Sequence, residues 1–148
     1  YVFIDITTDD AITPGQIKFQ ILSVFDESKL DVWSYNLETI LAEKIETILS
    51  RGEASTRPRD RYDIFVLTQL NRELIDYTVL SKAIYRTAEK RDTVKQIVDW
   101  KRTLDNLAVS KYQENLWLNY QKRFLYAKEI SYAQTNDCLY ELLSRTDI

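Results

Sequence analysis

Lys44 stands in the middle of an apolar helical stripe. Asn36 is a candidate N-cap and Gly52 a stop; between them Leu37, Ile40, Leu41, Ile45, Ile48 and Leu49 recur with a helical period. At about 100° per residue, the Lys44 side chain falls between Leu41 and Ile48. A second helical pattern begins near Arg59 and carries the opposite charge on its inward side. There Asp60 and Asp63 share a face with Ile64 and Leu67. A charge buried without a partner is costly. The two helices are therefore expected to pack with Lys44 against Asp60 or Asp63, forming a polar site in an apolar interface.

The rest of the composition narrows what that site can be. At 148 residues, 45% apolar and 29% charged, the chain suits a globular protein with a real core, not a disordered one. It contains no His, which removes Ser-His-Asp and Cys-His catalysis and ordinary zinc sites. Gly15 and Gly52 are its only glycines, too few for a phosphate-binding glycine loop or a dinucleotide fingerprint. A net charge of −3 gives no global pull on nucleic acid. Local clusters remain at Arg51, Arg57, Arg59 and Arg61, and at the pairs Lys90-Arg91 and Lys101-Arg102, where solvated helix ends are the simplest explanation. No apolar run reaches membrane-spanning length. The single cysteine, Cys138, fits a reducing cytoplasm. The start, Tyr1-Val2-Phe3-Ile4, lacks the basic region of a signal peptide. With Met absent as well, it reads as a fragment whose natural N-terminal part is missing.

Along the chain, residues 2–7 read as a short strand, followed by a turn at Thr13-Pro14-Gly15. Residues 16–25 alternate, with Ile17, Phe19, Ile21 and Phe25 on one face, and residues 29–34 supply an antiparallel partner after Asp26-Glu27-Ser28. Strand signals stop at Tyr35-Asn36. Helices are expected over 36–50, 59–69, 72–90 and 92–104, the last with Asp92 as cap. Amphipathic segments follow around Trp117 and Tyr120, and a final helix over 136–144. The expected class is α+β and mainly helical, with a small sheet region at 1–35 and a helical domain at 36–148.

Three sets of residues are candidates for chemistry. Asp5, between Ile4 and Ile6, is either a water-facing edge residue or a metal-binding carboxylate presented by a strand. Lys44, Asp60 and Asp63 form either a structural salt bridge or a site in which the lysine grips a phosphate while the aspartates hold it or act as base. Arg57, Arg59 and Arg61 beside them would add charge for an anion at a helix N-terminus. Trp117, Tyr120, Phe124 and Tyr126 could stack on bases, although their helical spacing suits core packing better.

The string from Tyr35-Asn36-Leu37-Glu38 through Ala42-Glu43-Lys44 to Arg51, followed by Arg57-Pro58-Arg59-Asp60-Arg61-Tyr62-Asp63, resembles the AbiEii/AbiGii toxin family of nucleotidyltransferases. Phe3-Ile4-Asp5-Ile6 with Thr13-Pro14 is similar to the family's preceding strand. Ala83-Ile84 with Thr87, and Trp117 with Tyr120, are similar to its helical C-terminal region. The resemblance implies a polymerase-β-like nucleotidyltransferase core with helical additions, acting in type IV toxin–antitoxin and abortive-infection systems. It implies Mg²⁺ and a nucleoside triphosphate, GTP in some members, with tRNA or another RNA among the acceptors. It also implies an antitoxin acting without a stable complex. By motif position Lys44 and Asp60 would match the family's essential lysine and aspartate, with Asp63 nearby as a further catalytic candidate, and Asp5 would be one metal carboxylate; Arg57 and Arg59, by their charge, are the nucleotide-binding candidates. The family's Gly-Ser and Asp-x-Asp motifs precede that strand and have no counterpart here. The chain alone is therefore expected to lack turnover. The rival is a non-catalytic helical module that binds RNA or a protein.

Overall fold

The structure, a computed structural model, describes residues 10–148. The expected strand at 2–7 and Asp5 lie outside the described residues. The described chain opens with an antiparallel hairpin of β1 (Ile17–Leu22) and β2 (Lys29–Ser34), paired from Ile17 opposite Ser34 to Leu22 opposite Lys29. Ile17, Phe19 and Ile21 share a face with Leu30 and Val32, as the alternation requires. β1 is shorter than expected. Val24 and Phe25 lie in the hairpin loop, fully in solvent, because Ser23 N–H bonds to the Ser28 carbonyl and closes the loop there.

Seven α-helices follow among the described residues, and α1 (Leu37–Arg51) is the hub. The Asn36 side chain accepts from the Thr39 amide, and Gly52, at φ 50°, ends the helix in a conformation that costs glycine little. Leu41, Ile45, Ile48 and Leu49 enter the main core with Ile64, Leu80, Ile84, Leu104, Leu107 and Leu139. These come from α2 (Pro58–Leu70), α3 (Tyr77–Lys90), α5 (Trp100–Val109) and α7 (Tyr132–Ser144). Pro58 occupies the first turn of α2, where its missing N–H has no intrahelical partner to lose. A second, aromatic core of Trp117, Tyr120, Ala127 and Tyr132 sits where α6 (Lys111–Arg123) meets α7.

Three helix boundaries differ from expectation. α3 starts at Tyr77, not near Arg72, because the Asp76 side chain caps the amides of Thr78 and Val79. Asp92 does not cap the next helix. It sits at φ 54°, with Thr93 N–H bonded to the Ala88 carbonyl, and so closes α3 as a left-handed C-terminal cap. The expected helix over 92–104 is also two helices, α4 (Val94–Val98) and α5, which turn apart at Asp99. α7 begins four residues early, at Tyr132, on a reciprocal capping box between Ser131 and Gln134.

Leu41 is fully buried at the centre of this arrangement, whereas Phe25 is 96% exposed. Leu41→Ala is expected to lower unfolding free energy by about 2–5 kcal/mol, and Phe25→Ser to change it by less than about 0.5 kcal/mol. Urea unfolding of both variants checks the contrast.

Candidate functional site

Lys44 and the two aspartates meet as their stripes require. The Lys44 Nζ donates to Asp63 Oδ2 at 2.6 Å and to Asp60 Oδ1 at 3.3 Å. Arg57 Nε lies 3.5 Å from Asp60 Oδ2, and Arg59 Nε 3.8 Å from Asp63 Oδ2. Three cations face two carboxylates, leaving one surplus positive charge. The lysine keeps 23% of its side-chain surface exposed, so the cluster is half-buried and open on one side. It opens into a cavity of about 400 Å³ whose lining includes Asp10, Tyr35, Glu43, Lys44, Arg57, Asp60 and Arg91.

Polar groups fix the two helices that present the cluster. On α1, Thr39 Oγ1 accepts from the Thr13 amide and donates to its carbonyl, pinning the entering chain. Buried Glu38 accepts from the Asp76 amide at the start of α3. Buried Glu46 accepts from Arg91 at 2.5 Å and from Thr93 Oγ1 at 2.8 Å, which joins α1 to the end of α3. The α1–α2 loop, which delivers Arg57, is held by Gln113 of α6. Its side-chain amide donates to the carbonyls of Glu53 and Ser55, each at 2.7 Å.

Arg61 departs from its expected place. It is 3% exposed and faces away from Lys44, donating to Asn136 Oδ1 of α7 at 2.7 Å and lying over the Tyr132 ring at 4.8 Å. Burial pushes its guanidinium below the usual arginine value. It locks α2 to α7 and adds nothing to an anion site beside Lys44. Arg59 and Arg61, two apart on the helix, diverge by about 200°, whereas Arg57 is the N-cap, outside helical geometry, and reaches Asp60 from there.

Glu43 and Arg91 join the site without having been singled out for it. Glu43 Oε1 is buried without a hydrogen-bond partner, and its ion pair with Arg91 spans 3.9 Å. Burial first, and then repulsion from Asp10, push the Glu43 carboxyl above its ordinary value, against the pull of Arg91 and Lys44. The sequence signal was the adjacency of Glu43 to Lys44 on the inward edge of the α1 stripe. Arg91 gave no such signal, because it depends on how α3 ends.

Among the described residues, no three His, Cys, Asp or Glu side chains stand close enough to hold a metal ion. Asp60 and Asp63 are already engaged by Lys44, Arg57 and Arg59. The described residues therefore do not fit a divalent cation by themselves. No helix among them is long and apolar enough to cross a membrane.

The family model described as Nucleotidyl transferase AbiEii toxin, Type IV TA system, matches residues 1–136, which include both helices of the cluster. The chain belongs to that family. Its members are nucleotidyltransferase toxins, which brings a nucleotide substrate and an antitoxin at the family level. No curated protein and no solved structure gives a match.

A carboxyl whose pKa is raised by folding stabilises the fold when protonated, and loses that contribution as pH rises through its folded value. Glu43, raised above 4.5, is such a group. Glu43→Gln is expected to raise the melting temperature at neutral pH, with the gain shrinking as the solution is acidified. Melting curves between about pH 7 and pH 4 read this directly.

Proposed function

We propose that the cavity beside Lys44 binds the phosphates of a nucleoside triphosphate in a nucleotidyl-transfer reaction. Lys44 carries this reading, as a half-buried ammonium at the mouth of a polar cavity, oriented by Asp60 and Asp63. Arg57 and Arg59 pair with the aspartates, and Lys44, Arg57 and Arg91 in the cavity lining supply the donors for an anion. In the reaction an acceptor hydroxyl attacks the α-phosphorus, a new P–O bond forms, and the α–β bridging bond breaks to release pyrophosphate. The hydroxyl proton passes to a carboxylate or to water. Lys44 contacts the phosphates as charge moves towards the leaving group.

Mg²⁺ enters this reading through the family and through the chemistry of nucleoside triphosphates. Asp5 is the ligand that the sequence offers. A two-metal site needs further carboxylates; the Asp-x-Asp pair that supplies them elsewhere in the family, and the Gly-Ser motif before it, are not among these 148 residues. The chain is therefore proposed to bind nucleotide through the Lys44 cavity and to need those motifs for turnover. The acceptor is proposed to be an RNA end, with tRNA a candidate. GTP is one candidate donor. The antitoxin is proposed to act without a lasting complex, in the cytoplasm.

The competing account makes Lys44 a structural bridge. Removing one member of a buried ion pair costs about 3–5 kcal/mol, which for a chain of this size corresponds to a fall of about 6–20 °C in melting temperature. A lysine that faces a water-filled cavity leaves its aspartates wet when removed. Lys44→Ala is thus expected to weaken binding of a nucleoside triphosphate with Mg²⁺ by at least about tenfold. Its melting temperature is expected to fall by less than about 5 °C. Titration calorimetry and a thermal melt on the same preparation test this. A large fall in melting temperature with unchanged nucleotide affinity would refute it.

A further inference from the structure

Beside the Lys44 cluster lies a patch of aromatic rings that the nucleotide reading does not use. Tyr62, between the two aspartates on α2, packs on Tyr126 with ring centroids 4.7 Å apart. Phe124 stands 5.5 Å from Tyr126 and 4.7 Å from Tyr120. The Tyr120 and Tyr126 hydroxyls share a hydrogen bond of 2.9 Å. The patch adjoins the cluster: burial, the Tyr126 contact and the nearby Asp63 carboxylate together push the Tyr120 phenol upward, while Arg59 pulls it down.

The four aromatic residues divide by burial. Trp117 and Tyr120 are core, as their helical spacing suggests. Phe124 is half-buried, and Tyr126 is 56% exposed. Tyr126 belongs to a segment beyond α6 that is held in a fixed shape. The Gln121 side chain donates to the carbonyls of Ala127, Lys128 and Ile130, and Trp117 Nε1 donates to Ile130 at 2.8 Å. A half-exposed ring on a rigid mount is pre-organised for stacking and gives up little entropy when a flat partner covers it.

The surrounding charge favours an anionic partner. Residues 121–130 carry Lys122, Arg123 and Lys128 against the single acid Glu129, in a chain whose net charge is −3. The Arg123 guanidinium lies 5.4 Å over the Phe124 ring, and Arg59, paired with Asp63, is largely exposed. Open aromatic faces alternating with guanidinium groups are the chemistry by which unpaired bases and their phosphates are held.

We infer that Tyr126, backed by Tyr62 and Phe124 and flanked by Arg123, is a stacking platform for an unpaired base of single-stranded RNA, leading the acceptor end towards the Lys44 cavity. The inference rests on the nucleotidyl-transfer reading and assigns its acceptor a docking surface on this chain. A duplex, whose bases are stacked on one another, does not fit it.

Fluorescence anisotropy with a labelled single-stranded oligoadenylate, the 148-residue chain and low salt tests the platform. The wild-type chain is expected to bind the single strand and to prefer it over a duplex of equal length. Tyr126→Ala is expected to weaken binding by at least about fivefold. Tyr126→Phe, which keeps the ring and loses the hydroxyl bond to Tyr120, should stay within about twofold of wild type. Arg123→Ala should weaken binding and flatten its salt dependence. No binding by the wild-type chain, no preference over duplex, or an equal loss in Tyr126→Phe and Tyr126→Ala would each overturn the inference. So would wild-type affinity in Tyr126→Ala, including the case in which the patch serves a protein instead. Nucleotide binding by Lys44→Ala, measured separately, reports on the underlying reading. If the ring is dispensable while nucleotide binding depends on Lys44, the platform alone falls. If nucleotide binding ignores Lys44 while the ring is needed for RNA, the nucleotide reading alone falls.

Discussion

The ion pairs from Lys44 to Asp60 and Asp63 set the relation between the first two helices. An ammonium within an apolar stripe restricts how α1 can pack, because most arrangements would leave it dry and unpaired. α2 resolves this by bringing two carboxylates to the same point, at 2.6 and 3.3 Å. Replacing such a cluster by apolar residues of similar volume is often neutral or stabilising in proteins. Its presence at the mouth of a cavity therefore favours a chemical use over a structural one.

Much of the remaining polar interior holds those two helices in position. Glu38 and Glu46 are spent on α3 and its C-terminal cap, Gln113 on the loop that carries Arg57, and Arg61 on α7. Each bond spans a long stretch of sequence and connects α1, α2 or their loop to a later helix. The α1–α2 pair is thus clamped from several sides while the cavity stays open along one edge. Such an arrangement keeps charged groups at fixed distances without a large reorganisation when an anion arrives.

The hub helix was legible in the sequence down to its caps, since Asn36, Gly52 and a six-residue apolar stripe each pointed to the same boundaries. So was the meeting of Lys44 with Asp60 and Asp63, because burying a charge leaves few alternatives. The start of α7 was missed: the final helix is expected from residue 136, whereas the Ser131–Gln134 capping box starts it at Tyr132. The end of α3 was not legible, because it follows from Asp92 adopting a left-handed conformation, which a side chain capable of N-capping does not announce; nor was the break between α4 and α5 at Asp99, which no glycine or proline marks. Arg61 looked like one of a row of solvated arginines; only the packing of α2 on α7 separates it from Arg57 and Arg59. Glu43 is marked only by its adjacency to Lys44, and Arg91 belongs to the site through tertiary placement that no local pattern marks. The family match over residues 1–136 supports the reading of the α1–α2 string as a unit.

The central claim is that the Lys44 cluster is retained for chemistry and not for stability. The most direct test is urea unfolding of the triple variant Lys44→Met, Asp60→Asn, Asp63→Asn, which removes every charge of the triad and leaves side chains of similar size. The account predicts an unfolding free energy within about 1 kcal/mol of the wild-type chain, or above it. A fall of more than about 3 kcal/mol would show that the ion pairs hold the fold together and would contradict the account.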